Sequence, residues 1–224
     1  MINTDNISAF SSKEYDPKIK QTLPYYEDFY KQVIELVKTC KHSEPAWLDV
    51  GCGTGKMGSV AFENLELQKF VFCDCSEEMI QIVQNSFKDK KAEFLVSDVQ
   101  KLSYVEEFDV VTAIQVNHYL HKDERRTALQ KCYEALQENG LFISFENFAP
   151  FTDIGKRIGL EKWRNYQISQ GKSPEESEKH IQRYGKDYFP ITLTEHMELM
   201  QECGFKVVEI LWLSNMQVGI WGMK

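Results

Sequence analysis

Ala46-Trp47-Leu48-Asp49-Val50-Gly51-Cys52-Gly53-Thr54-Gly55 runs an apolar, partly β-branched and aromatic segment straight into three alternating glycines. The first five residues have the length and content of a short buried strand. Glycine lacks a Cβ, so Gly51, Gly53 and Gly55 can take positive φ and let another molecule lie against the main chain. A helix from about Lys56 to Leu67 would aim its free N–H groups back at the same loop.

Several nucleotide sites use a strand, a glycine loop and a helix, and spacing separates them. A phosphate-cradling GxxxxGK[ST] loop is excluded because Lys56 is followed by Met57. The dinucleotide pattern G-x-G-x-x-G fails as well, since Lys56 stands five positions after Gly51. What remains is Asp-x-Gly-x-Gly-x-Gly with Asp49 inside the strand. The alternative is a glycine-rich turn that binds nothing.

The 224 residues fit one domain, 1–224, with room for a substantial core. No apolar run approaches the roughly 20 residues that span a bilayer. The N-terminus, MINTDNISAF, shows no basic segment followed by an apolar one, so a cytoplasmic protein is expected. Six scattered cysteines lack the C-x-x-C spacing of zinc and redox sites, and no metal is expected. A net charge of −8 repels polyanions, so neither nucleic acid nor membrane is an expected partner. The expected state is a monomer or homodimer.

Outward from the loop the chain alternates strands and helices. Apolar positions between Asp16 and Lys38 recur at three and four residues, which predicts amphipathic helix interrupted at Pro24. Residues 1–12 are polar and expected to be mobile. Lys69–Asp74 reads as the second strand, ending in an acid 19 residues past Gly55. In doubly wound folds an acid about 20 residues on reaches ribose hydroxyls, although a strand-end acid without a ligand fits too. Ser76 is placed to cap the next helix. Ala92–Val96 forms strand three, and Phe108–Ile114 forms strand four, apolar enough to be buried on both faces. Gln115-Val-Asn-His-Tyr-Leu120 follows at the carboxyl edge, where open α/β sheets bind ligands. A helix over 123–138, a C-cap at Gly140 and strand five over 141–145 come next, and Glu146-Asn147 emerge at that same edge.

Residues 148–190 break the alternation with Pro, Gly and aromatic residues and predict a helical insert over the carboxyl edge. Between 151 and 187 it holds eight Lys or Arg against six acids, a hint of an anionic substrate or simply a solvated helical face. Thr194 is expected to cap a helix over 195–203. Phe205–Leu213 and Met216–Gly222 then read as two strands separated only by Ser214-Asn215, which forces them antiparallel.

Together, the Asp-Val-Gly-Cys-Gly-Thr-Gly loop, Asp74, Ser97-Asp98 and Phe108-Asp-Val-Val resemble the class I S-adenosylmethionine (SAM) dependent methyltransferases, of methyltransferase-domain type 12/25. The resemblance covers about residues 46–147 and the terminal hairpin. It implies a Rossmann-like doubly wound, seven-stranded, mostly parallel α/β sheet with a C-terminal antiparallel hairpin. It also implies SAM as cofactor, with S-adenosylhomocysteine (SAH) as product. Asp49, Gly51, Cys52, Gly53, Thr54 and Gly55 would serve the methionine half, and Asp74 the ribose. Cys75 and Met79 belong to a segment similar to the family's D-x-S-x-x-M; Asp98 with Val99 would meet the adenine, and Gln115 the ligand edge. Glu14-Tyr15-Asp16 resembles the family's N-terminal flap, so residues 1–40 read as a lid and 148–190 as a substrate cap.

Tyr15, Tyr26, Asn117, Tyr119, Trp163, Tyr166 and Arg183 are the candidate contacts to a small-molecule acceptor, with plain packing as the alternative for the tyrosines. His118 is the candidate general base, because imidazole titrates near neutrality and this one follows strand four at the ligand edge. Packing or an adenine contact would explain it equally. His121, His180 and His196 are expected to have surface roles. A weaker similarity, in Asp16–Ile19 to Tyr26, Trp163–Gln170 and Leu193–Met223, points to carboxy-S-adenosylmethionine synthases. Gly53-Thr54 departs from that family's loop, and Arg183 matches its carboxylate-binding arginine only after a shift of two residues. A non-catalytic SAM-binding regulator is a further alternative.

Overall fold

The computed structural model describes residues 15–40 and 43–224. Residues 1–12 and Glu14, together with the side chain of Tyr15, therefore lie outside the described part. Seven strands form one sheet in the order β3-β2-β1-β4-β5-β7-β6. They are β1 (Ala46–Val50), β2 (Lys69–Asp74), β3 (Ala92–Val96), β4 (Phe108–Ile114), β5 (Leu136–Asn147), β6 (Val207–Ser214) and β7 (Gln217–Met223). The first five run parallel, and β7 pairs antiparallel with both β5 and β6.

Alternation along the strands splits the core into two layers. Trp47, Phe70 and Phe72 face α2 (Tyr26–Thr39), α3 (Lys56–Asn64) and α4 (Glu77–Phe87). Leu48, Val50, Val71 and Val111 face α5 (Lys122–Ala135) and α8 (Leu193–Glu202). The insert contributes α6 (Asp153–Ser169) and α7 (Pro174–Ile181), which pack on each other, and α6 is bonded to α1 (Tyr15–Thr22) over the carboxyl ends of the strands. Strand order reverses between β1 and β4, so the loops after these strands diverge there and leave a crevice.

Four local expectations are corrected. The helix expected over 123–138 ends at Ala135, because Glu106 and Glu107 N–H groups take the carbonyls of Glu134 and Ala135 at 2.9 Å. The chain continues as strand, so Gly140 is no C-cap; Asn139 takes the positive φ of 64°, and a Cβ on Gly140 would sit 2.9 Å from the Gln137 carbonyl oxygen. The cap of α8 is Thr192, not Thr194: Thr192 Oγ1 accepts from Glu195 N while the Glu195 carboxylate accepts from Thr192 N, a reciprocal capping box. The hairpin turn lies at Asn215-Met216, one residue later than expected, since Ser214 still pairs with Gln217 and Asn215 carries the positive φ.

Candidate active site

The glycine loop is bent as its composition requires. Gly51, Gly53 and Gly55 have φ of 63°, 52° and 85°. A Cβ on Gly51 would come within 2.4 Å of Val116, whereas nothing lies within 4 Å of one on Gly53. Gly53 therefore presents open backbone, while Gly55 is confined by Val83 and Phe87 and serves the turn into α3. Asp74, at the end of β2, holds the loop from beside it: Oδ2 accepts from Gly53 N and Oδ1 from Ser76 N, both at 2.9 Å.

Beside this loop runs a cleft lined by Gly51, Gly53, Asp74, Cys75, Met79, Ser97, Asp98, Val99, Ile114, Gln115, Val116, Tyr119 and Leu120. It brings together eight of the twelve expected cofactor residues. Among the described residues two carboxylates and no Lys or Arg line it, a charge pattern that suits a cationic nucleoside and opposes phosphate. Asp98 caps the turn at Val99 by accepting from Gln100 N at 2.9 Å. Burial pushes the Cys75 thiol up to about 11, with Asp74 and Asp98 adding to the shift, so it is a neutral wall rather than a nucleophile. Gln115 holds a positive φ of 60°, rare for a side-chain-bearing residue; its amide is anchored on Phe145 O and Gln217 Oε1.

Asp49, Cys52 and Thr54 are on the other side of the loop, around a smaller cavity with Tyr26, Tyr30, Lys56 and Met57. The Asp49 carboxyl accepts from Thr112 Oγ1 at 2.6 Å, and Thr112 in turn accepts from Trp47 Nε1. Burial, helped by nearby Asp74 and opposed by Thr112, pushes Asp49 up to about 7.

A second chamber adjoins the cleft and shares Gln115 and Tyr119 with it. Its other walls are Ile19, Thr22 and Leu23 from α1, His118, Asn147, Trp163 from α6, His180, Arg183 and Tyr188. Of the expected acceptor contacts, Tyr119, Trp163 and Arg183 are here. Tyr26 is not, lying behind the glycine loop with its hydroxyl bonded to that of Tyr30. Tyr166 is not either; its hydroxyl donates to the Lys20 carbonyl at 3.1 Å and lines an outer groove. Asn117 is buried against Glu146, outside the chamber's lining.

Glu146 is the functional candidate that sequence reasoning passed over. Fully buried at the end of β5, it accepts from the backbone N–H groups of Val116, Asn117 and His118, from Asn117 Nδ2, and from His118 Nδ1 at 2.7 Å. Burial works to raise its pKa, but His118, Asn117 and the charge of Arg125 outweigh it and hold the carboxyl below its ordinary range. Facing the Glu146 carboxylate, His118 Nδ1 is the donor of that hydrogen bond, and Nε2 is the ring nitrogen left for another partner. An acid directly after the apolar run Leu141–Phe145, at the carboxyl edge, was the available signal. His180 and His196 also differ from expectation: His180 lines the chamber, and His196 is fully buried against Phe148. Burial pushes both down to about 3 and keeps them neutral.

Residues 48–140 match a family described as "Methyltransferase domain". The chain is 23% identical over 205 residues to a carboxy-S-adenosyl-L-methionine synthase of Helicobacter hepaticus, covering 88% of this chain and 85% of that one. Its fold is similar to that of the N-methyltransferase NodS of Bradyrhizobium japonicum in complex with SAH, with TM-score 0.65, 13% identity and coverage of 93% and 92%. It is also similar to a putative O-methyltransferase of Nostoc punctiforme, with TM-score 0.69 and 15% identity, where it covers 95% of itself and 58% of that longer chain. Among the described residues no helix is long and apolar enough to cross a membrane. Residues 48–140, which hold the glycine loop and the acidic cleft, are thus similar to a methyltransferase domain, on a fold shared with methyltransferases of known structure.

Proposed function

We propose that the chain transfers a methyl group from SAM to a hydroxyl or amine of a small molecule held beneath α1 and the insert. The observation that carries this is the adjoining chamber, which shares Gln115 and Tyr119 with the cofactor cleft and has His118, bonded behind to Glu146, in its wall. Gly51 and Gly53 offer backbone to the methionine half, with Asp49 behind them. Asp74 would take the ribose, and Asp98 and Val99 the adenine. Bound SAM supplies an electrophilic methyl group on an already activated sulfonium. What the chain must add is orientation, worth up to roughly 7–11 kcal/mol when reacting groups are held in line. His118 would accept the acceptor's proton, with Glu146 fixing its tautomer and stabilising the imidazolium that forms. Residues 1–40 and 148–190 act as lid and cap within one domain.

Whether the acceptor is anionic is a finer point. Arg183 supports an anion, but its Nε already donates to Asp187 at 2.7 Å and its guanidinium bonds the Tyr119 hydroxyl.

Mass spectrometry of any copurifying nucleoside, with calorimetric titration of SAM and SAH, tests the cofactor half. Radiolabelled methyl transfer to a panel of small hydroxy and amino compounds tests the rest. Absence of SAM and SAH binding would overturn the reading. A second reading is favoured by the name of the curated relatives, carboxy-SAM synthase, whose similarity extends over most of the chain. A copurified nucleoside heavier than SAM by one carboxyl group would put that reading first.

A further inference from the structure

The chamber contains polar groups that the described residues do not satisfy. Asn147 follows Glu146 at the end of β5, is 2% exposed, and among the described residues has no hydrogen-bond partner for either its amide nitrogen or its amide oxygen. Tyr188, also 2% exposed, has a hydroxyl in the same condition. Both line the chamber. Their neighbours are treated differently: Glu146 accepts five hydrogen bonds, and the Gln115 amide nitrogen has two acceptors. A buried polar group left unsatisfied costs roughly 1–3 kcal/mol, so a leucine of similar size at 147 would give a more stable free protein. An amide kept at that cost in a chamber wall points to a ligand that completes it.

The chemistry of that ligand follows from the surroundings. Five rings line the chamber: His118, Tyr119, Trp163, His180 and Tyr188. They meet at centroid distances of 4.4 Å for His118 and Tyr119, 5.2 Å for Trp163 and His180, and 5.9 Å for His118 and Tyr188. Such walls favour a flat guest. Asn147 offers one donor face and one acceptor face side by side. A carboxylate would satisfy Nδ2 and then oppose its own lone pairs to Oδ1. A group presenting C=O beside N–H satisfies both at once. Arg183, the one Lys or Arg among the lining residues, already has Asp187 as counter-ion.

We infer that Asn147 is a specificity residue that reads an uncharged amide-type edge, a primary carboxamide or a lactam, on a flat one-ring acceptor, with the Tyr188 hydroxyl as an additional partner. This rests on the methyl-transfer reading above and narrows it.

The test uses the full chain saturated with SAH and compares benzamide with benzoate, one ring carrying either a neutral amide or a carboxylate. Ligand-observed NMR titration should give benzamide at least ~10-fold tighter than benzoate. Asn147→Leu should abolish that preference by weakening benzamide, leave SAH affinity unchanged, and raise the Tm of the ligand-free protein. Asn147→Asp, which keeps the shape and loses the donor, should weaken benzamide as well. Benzoate binding as tightly as benzamide, neither probe binding, or a Tm that falls in Asn147→Leu would each overturn the inference. Failure to bind SAH would instead remove the methyl-transfer reading beneath it.

Discussion

Asp49 carries its carboxyl into the sheet interior, where Thr112 is its hydrogen-bond donor. Its pKa is pushed up to about 7 from an ordinary 3.8, mainly by burial. The folded chain therefore keeps this proton to a higher pH than the unfolded chain does. Stability is fully present below about pH 4 and declines as pH rises toward 7, by on the order of 4 kcal/mol from this group. Asp49→Asn should flatten that decline. Urea midpoints for wild type and variant at pH 4.5 and 7.5 measure it, and parallel pH dependences would refute the assignment. Asp74 has a double task, since its oxygens hold Gly53 N and Ser76 N while facing the cleft. Asp74→Ala should weaken SAH binding roughly 10- to 100-fold, the scale of losing a charge-assisted hydrogen bond, while circular dichroism stays unchanged. For Glu146→Gln, which keeps the volume and loses the charge, kcat should fall by roughly 10²-fold at unchanged SAH affinity. An unaltered kcat would remove the His118–Glu146 pair from the mechanism.

At the scale of elements, α3 is placed by a glycine in its first turn. Alanine is ordinarily better than glycine in a helix by roughly 1 kcal/mol. At Gly58 the sign reverses, because a Cβ there would lie 2.2 Å from the Phe72 ring. That ring has no free space to enter: it packs on Phe70 at 4.6 Å, Phe87 at 4.7 Å and Phe94 at 5.6 Å. Overpacking of about 1–3 kcal/mol outweighs the propensity gain, so Gly58→Ala should lower Tm by a few degrees. Calorimetry would decide it, and a higher Tm would show that α3 moves away from the sheet at little cost. The same balance explains why local signals erred by a few residues at α5 and β5. Sequence pattern favours helix to Glu138, but Glu106 and Glu107 claim the carbonyls that end it, and those partners come from a distant loop.

At the scale of the whole molecule, the insert is tied to α1 across the chamber. Trp163 Nε1 donates to the Thr22 carbonyl at 2.6 Å, and the Tyr166 hydroxyl reaches the Lys20 carbonyl. Lys172 Nζ adds bonds to Thr22 Oγ1 and Gln167, with burial lowering its pKa to about 8. Trp163→Phe keeps the ring and deletes one tie. It should raise KM for the acceptor several-fold while SAH affinity holds; equal losses in both would mean the tie supports the fold rather than the acceptor chamber.

Strand, glycine loop and helix, the acids ending β2 and following β3, and the closing hairpin were legible in sequence because each depends on residues near one another in the chain. Their order set the sheet, and eight of the twelve residues expected to hold a cofactor line one cleft. The acceptor side was not legible in that way. His118 meets Glu146 across 28 positions, and the chamber joins residues from Ile19 to Tyr188. Tyr26, Tyr166 and Asn117 looked no different in sequence from Tyr119, and only packing separated the buried from the lining. The cleft proposed for SAM is local because backbone at strand ends makes it, whereas the chamber proposed for the acceptor is made of side chains that meet only after the insert folds over the sheet.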